Sequence, residues 1–137
     1  MYIAKTTIRV RYSETDQMGY VYYGNYASYY EVGRVEALRQ LGLSYKQLED
    51  SGVMMPVLEC RSNYIKPAVY DQLLTIVVSI PEIPRVKIKF IYEIFDEDET
   101  LLHTGETTLV FVNMKTGRPM RMPEQMSSLL SPYFNEK

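Results

Sequence analysis

One long stretch of this 137-residue chain repeats with the period of a helix, and it lies between runs that alternate with the period of a strand. From Asn25 to Leu41 the residues Tyr26, Tyr30, Gly33, Ala37 and Leu41 fall in one stripe, flanked by Tyr29 and Leu38. Asn25 is positioned to cap the helix start, and Gly42 follows the last apolar position as a helix-ending glycine does. Ser44 to Asp50 adds further helical turns, with a stop at Gly52.

Residues 4 to 12 put Ala4, Thr6, Ile8, Val10 and Tyr12 on one side and Lys5, Thr7, Arg9 and Arg11 on the other, which predicts a half-exposed strand. Four more strand runs follow at Val57–Ile65, Leu73–Ile80, Val86–Phe95 and Leu101–Val112. In the third, Val86, Ile88, Phe90, Tyr92 and Ile94 alternate with Arg85, Lys87, Lys89 and Glu93. Lys66-Pro67, Pro81, Pro84 and the acidic turn Asp96 to Glu99 mark the breaks. Pro123-Glu124 opens a short helix carrying Met126, Leu129 and Leu130.

The order is therefore strand, long helix, then four strands, an α+β arrangement with one helix covering an antiparallel five-stranded sheet. Gly33 in mid-helix costs about 1 kcal/mol relative to alanine unless close packing recovers it, so it predicts a close helix–sheet approach. Such a sheet leaves strand edges open, and pairing with a second copy is the expected remedy. The length suits a single domain over residues 1–137.

Composition removes several function classes. A net charge of −2 lacks the basic excess that nucleic-acid backbones require. No apolar leader opens the sequence and no run approaches a membrane span, so the expectation is a soluble cytoplasmic protein. Cys60 and His103 occur once each, which leaves too few soft ligands for an ordinary zinc site and no intrachain disulfide. A Cys60–His103 nucleophile pair is conceivable, but lone residues in separate strands are usually core or surface occupants. No Gly-x-Ser-x-Gly elbow, phosphate loop or dinucleotide fingerprint is present, which points to chemistry without a cofactor.

The remaining candidate is the polar run Ser13 to Gly24, where Glu14 and Asp16 stand ahead of a helix start whose free amides favour negative charge. Helix-end amides that polarise a carbonyl, beside a carboxylate that attacks it or activates water, suit acyl transfer. An aspartate in a polar loop is most often a turn or cap residue, and the residues alone leave both readings open.

Tyr12-Ser13-Glu14-Thr15-Asp16-Gln17-Met18-Gly19-Tyr20-Val21-Tyr22-Tyr23-Gly24-Asn25-Tyr26 resembles the signature of hot-dog-fold acyl-CoA thioesterases, in particular the 4-hydroxybenzoyl-CoA thioesterase type. The likeness continues through Glu31, Arg34 and Glu36 and through Tyr64-Ile65-Lys66-Pro67-Ala68. It implies a sheet wrapped around the long helix, two chains joined sheet edge to sheet edge, dimers paired into tetramers, and active sites at the dimer interface. It also implies that Asp16 is the catalytic carboxylate and that backbone amides at Tyr23 and Gly24 hold the thioester carbonyl.

Many relatives carry a histidine at the position of Tyr23, whereas the hydroxybenzoyl type carries a tyrosine, which leaves its side chain between positioning and packing. Tyr26, Tyr29 and Tyr30 are expected in the helix core or at dimer contacts, and Tyr20, Tyr22 and Tyr23, with Asn25, along the acyl pocket. Arg85, Lys87 and Lys89 are candidates for the phosphates of coenzyme A, against the alternative of a solvated face. The substrate is then an acyl-CoA or an acyl-carrier-protein thioester. The rivals are a noncatalytic acyl-thioester-binding module and a hot-dog dehydratase, the latter lacking its early catalytic histidine here.

Overall fold

A computed structural model describes residues 1–134. The chain runs β1 (Tyr2–Arg9), α1 (Tyr26–Leu41), α2 (Tyr45–Asp50), β2 (Val53–Met54), β3 (Val57–Tyr64), β4 (Leu73–Ile80), β5 (Lys87–Phe95), β6 (Leu101–Val110), β7 (Val112–Asn113) and α3 (Glu124–Leu130). β1, β4, β5, β6 and β3 form one antiparallel sheet in that order, and β2 pairs with β7 beside it. This is the expected α+β hot-dog arrangement, with the long helix against the five-stranded sheet.

The inner face of the sheet is apolar because period-two alternation delivers every second side chain to the helix. Leu74, Ile76, Val78 and Ile80 of β4 and Ile88, Phe90, Tyr92 and Ile94 of β5 are essentially inaccessible to solvent. α1 meets them with Tyr26, Tyr29, Tyr30, Gly33, Ala37 and Leu38. Helix and sheet approach closely at Gly33: a Cβ there would lie 2.9 Å from Val78 Cγ2 and 3.0 Å from Ile76 Cγ2. Tyr2 donates from its hydroxyl to the Ala37 carbonyl at 2.6 Å and so ties β1 to the helix.

Gly42 ends α1 as expected, at φ +110°, with its amide on the Leu38 and Arg39 carbonyls and the Leu43 amide on Leu38. Besides shifts of one or two residues at strand ends, the structure departs from the sequence expectation at four places. Asn25 is already helical and makes no cap, because its side-chain amide donates to the Glu14 carbonyl at 2.8 Å. β1 stops at Arg9 rather than running to Tyr12, since residues 12–14 coil into a 3-10 turn. The last strand is interrupted at Phe111, whose amide turns to the Val86 carbonyl, and its tail becomes β7. The two-residue strand β2 was not anticipated at all.

β1 and β3 are the sheet edges. β3 is the less protected, with only Ser62 partly covered along its eight residues. No helix of the described residues is long and apolar enough to cross a membrane.

Candidate active site

The loop between β1 and α1 is held by Glu14. Its carbonyl accepts the Tyr22 amide at 2.9 Å and the Asn25 side chain at 2.8 Å. Its carboxylate accepts the Arg11 amide at 2.9 Å, the Arg11 guanidinium at 3.0 and 3.2 Å, and the Tyr29 hydroxyl at 2.9 Å. Partial burial works against the charge, but these donors outweigh it and hold the carboxyl below its ordinary range.

Asp16 is placed differently. One oxygen, Oδ1, accepts the amides of Met18 (2.9 Å) and Tyr20 (3.2 Å), and the backbone closes around it through Asp16 N–H to Tyr20 (2.8 Å) and Gly19 N–H to Asp16 (3.0 Å). Gly19 sits at φ +83°, a conformation that glycine adopts without strain. Oδ2 has no hydrogen-bond partner among the described residues. Of the two carboxylates ahead of the helix, Glu14 is fully engaged and Asp16 keeps a free oxygen.

Asp16 lines a cavity of about 340 Å³ together with Met18, Tyr20, Val21, Tyr23, Tyr26, Tyr64, Ile65, Lys66 and Pro67. A 3-10 turn over Tyr23–Asn25 leads from its rim into α1. The amides of Tyr22, Asn25 and Tyr26 are spent on the carbonyls of Glu14, Tyr22 and Tyr23. Those of Tyr23 and Gly24 have no acceptor among the described residues, which makes them the free donors of the helix start. A Cβ on Gly24 would stand 2.8 Å from the Tyr22 ring, so a side chain there would displace Tyr22.

Of the residues singled out in the sequence, Asp16, Tyr20 and Tyr23 line the cavity, with Gly24 adjoining. Tyr22 is half exposed, packed on Tyr23 with ring centroids 4.8 Å apart, and outside the lining. Tyr26, Tyr29 and Tyr30 are in the core, and Tyr26 serves the cavity as well.

Arg85, Lys87 and Lys89 are not brought to Asp16 within one chain. Lys87 pairs with Val110 at one end of β6, whereas Tyr64, which lines the cavity, pairs with His103 at the other. Seven residues of strand separate the two ends, roughly 23 Å. Lys89 moreover contacts Glu106 at 3.4 Å. Nor do Cys60 and His103 meet. Cys60 faces Thr107, four residues from the Tyr64–His103 pair, roughly 13 Å away. Among the described residues no three His, Cys, Asp or Glu side chains converge as a metal set.

Sequence reasoning gave no site role to Lys66 or Tyr64, and considered His103 only as a partner of Cys60. Lys66 and Tyr64 belong to the 64–68 segment that carries the family resemblance, which was the available signal. His103 lies directly behind the cavity, its ring stacked on Tyr26 (centroids 3.9 Å, planes 5° apart) and edge-on to Tyr64 (4.9 Å, 78°).

A family model described as the thioesterase-like superfamily matches residues 10–130. The chain belongs to this superfamily. Members similar to it include YneP of Bacillus subtilis, 32% identical over 137 residues that cover 100% of this chain and 99% of that protein. The acyl-CoA thioester hydrolase YbgC of Escherichia coli O6:H1 is 30% identical over 119 residues, 87% of this chain and 89% of its own length. Among solved structures, that of DHNA-CoA thioesterase from Staphylococcus aureus is 35% identical with a TM-score of 0.84, over 98% of this chain and 85% of that one. The superfamily match contains the whole of the Asp16 loop, the long helix and every strand of the sheet except β1, which precedes it.

Proposed function

We propose that this thioesterase-like protein hydrolyses an acyl-CoA thioester to a free acid and a thiol, with Asp16 as the working carboxylate and the Tyr23 and Gly24 amides as the oxyanion hole. The observation that carries this reading is the pairing, at one cavity, of a carboxylate that keeps a free oxygen with two unspent amides at a helix start. The YbgC and Staphylococcus aureus relatives, named for acyl-CoA thioester hydrolysis, support the substrate class.

In the direct route, water attacks the carbonyl carbon while its proton passes to Asp16, and the two amides take up the charge on the carbonyl oxygen. Collapse of the tetrahedral intermediate breaks the carbon–sulfur bond, and the proton returns to the leaving thiolate. In the covalent route, the Asp16 oxygen attacks first, thiolate leaves, and water hydrolyses the resulting anhydride. Both routes use the same groups. In a single turnover in ¹⁸O-labelled water, label found in Asp16 identifies the covalent route, with water attacking the aspartyl carbon of the anhydride.

The functional unit in this reading is a homodimer joined along β3 and further paired as a dimer of dimers. The unpaired β3 edge carries exposed Val57, Leu58 and Tyr64, with Ile65 next to them, which supports a second copy as its cover. Antiparallel pairing of two β3 strands sets the Val57 end of one copy beside the Tyr64 end of the other. Arg85 and Lys87 of one copy then come to the end of the joined sheet that holds Asp16 of the other, where the phosphates of coenzyme A need cations. Lys66 supplies a further cation on the cavity wall. The same cleavage serves a thioester carried by acyl carrier protein, in a single-domain enzyme of the cytoplasm that uses no metal or redox cofactor.

Thiol release from a panel of aliphatic and aromatic acyl-CoAs and an acyl carrier protein ester tests the reading. Release by the wild type that disappears in Asp16→Asn is the expected result. Acyl-CoA binding without any release would replace it with a noncatalytic binding module.

A further inference from the structure

Behind the cavity wall, α1, β6 and β3 share a small polar cluster in otherwise apolar surroundings. The Tyr30 hydroxyl lies 2.6 Å from Ser62 Oγ and 2.5 Å from His103 Nε2, and both Tyr30 and His103 are fully buried. His103 Nδ1 is likewise buried and has no hydrogen-bond partner among the described residues. A phenylalanine at 30 and a leucine at 103 would occupy similar space without the cost of desolvating polar groups. Gly105 is kept bare beneath this cluster, since a Cβ there would run into the Tyr30 hydroxyl and ring. Three elements of the fold thus conform to a polar group that the core does not require.

The cluster abuts the cavity. His103 touches Tyr26 face to face and Tyr64 edge to face, and both tyrosines line the cavity with Asp16. Apolar ligand sites take their selectivity from a few polar groups of this kind. Burial lowers the pKa of His103 to about 4, so the ring is uncharged near neutral pH and cannot balance a carboxylate. A hydroxyl both donates and accepts. It therefore fits Nδ1 in either tautomer, as N–H when the Tyr30 hydroxyl donates to Nε2, or as a bare nitrogen when Nε2–H donates to Tyr30.

We propose that His103 is a specificity residue, whose Nδ1 pairs with a neutral hydroxyl on the distal part of the acyl group, admitted between Tyr26 and Tyr64. This role rests on the thioester reading of the Asp16 cavity and extends it to the end of the substrate remote from the scissile bond.

Two matched pairs test it: octanoyl-CoA against 8-hydroxyoctanoyl-CoA, and phenylacetyl-CoA against 4-hydroxyphenylacetyl-CoA. In at least one pair the wild type is expected to favour the hydroxylated ester in kcat/KM by about tenfold or more, because an apolar ester would leave Nδ1 unpaired. His103→Phe retains a ring against Tyr26 but no nitrogen, and should bring that ratio close to one. Tyr30→Phe removes the bond to Nε2, keeps Nδ1, and should preserve the preference. A merely structural His103 would slow both members of each pair equally in both variants, which overturns the proposal.

His103 is the only histidine of the chain, so its imidazole ¹⁵N signals are unambiguous. In Asp16→Asn protein, the Nδ1 resonance should move on addition of the hydroxylated ester preferred in the kinetics and stay in place with its unhydroxylated partner. An Nδ1 signal indifferent to either ester in both pairs overturns the assignment even if His103→Phe fails to fold. If no CoA ester is cleaved, it is the thioester reading that fails, and the ¹⁵N titration alone decides the role of His103.

Discussion

The Tyr29 hydroxyl donates to Glu14 Oε1 at 2.9 Å across fifteen residues of chain, and this bond fastens the Asp16 loop to the first turn of the long helix. Glu14 also holds Tyr22 and Asn25 through its carbonyl, so a single residue fixes the carboxylate loop relative to the free amides of the helix start.

Glu14→Gln should therefore destabilise the protein by about 1–3 kcal/mol near neutral pH, the range for hydrogen bonds to a charged group. Burial opposes ionisation, yet the Arg11 and Tyr29 donors lower the pKa of Glu14 in the folded state. A depressed carboxyl stabilises the fold above its unfolded pKa and loses that contribution as the pH falls through the folded value. The difference between wild type and variant in urea midpoint should accordingly be full at pH 7 and shrink below the ordinary carboxylate range. A gap independent of pH would mean that charge has no part in the bond.

Asp16→Asn should leave stability within about 0.5 kcal/mol, because the asparagine Oδ1 can still accept the Met18 and Tyr20 amides. What disappears is a basic oxygen at Oδ2. The rate of thiol release should fall on the order of 10²–10⁴-fold, in the range for loss of a positioned acid–base group. Parallel thermal melts and progress curves on one preparation measure both quantities. A large loss of stability would assign Asp16 to the loop's architecture rather than to its chemistry.

Much of this arrangement was legible because local period and burial agree. The stripe from Tyr26 to Leu41 is the buried face of α1, and Ile88, Phe90, Tyr92 and Ile94 point inward as their alternation required. Alternation failed to find the end of β1 because Val10 remains buried after the strand has stopped, so the pattern outlasts the ladder. Asn25 has the right residue type for a cap, but a carbonyl eleven residues earlier in the chain claims its side chain. At the site, motif resemblance singled out Asp16, yet period-two spacing could assign Arg85, Lys87 and Lys89 only to a face. Which end of the sheet they occupy depends on the β5–β6 register, and that is a long-range property. His103 looked like an ordinary strand residue because its partners, Tyr30, Tyr26 and Tyr64, come from other elements.

Gly33→Ala should destabilise the fold by about 1–3 kcal/mol, although alanine is the better helix former by about 1 kcal/mol. The new methyl group would press on Val78 Cγ2 and Ile76 Cγ2, at 2.9 and 3.0 Å. Both belong to buried β-branched side chains of β4 with little freedom to turn aside. A higher melting temperature for the variant would show that helix and sheet have slack at this crossing.

His103 gives stability a second pH dependence, in a window separate from that of Glu14. Burial lowers its folded pKa to about 4, from about 6.5 for an ordinary histidine. A histidine kept neutral by the fold leaves the unfolded chain binding more protons between those two values, so stability falls as the pH drops through them. From pH 7.5 to pH 5 the expected loss is about 2 kcal/mol, which follows from the two proton-binding curves over that interval. Urea unfolding of the wild type at these two pH values, beside His103→Gln, measures it. The variant should lack most of this loss, since its side chain does not titrate, whereas equal losses in both proteins would place the titrating group elsewhere.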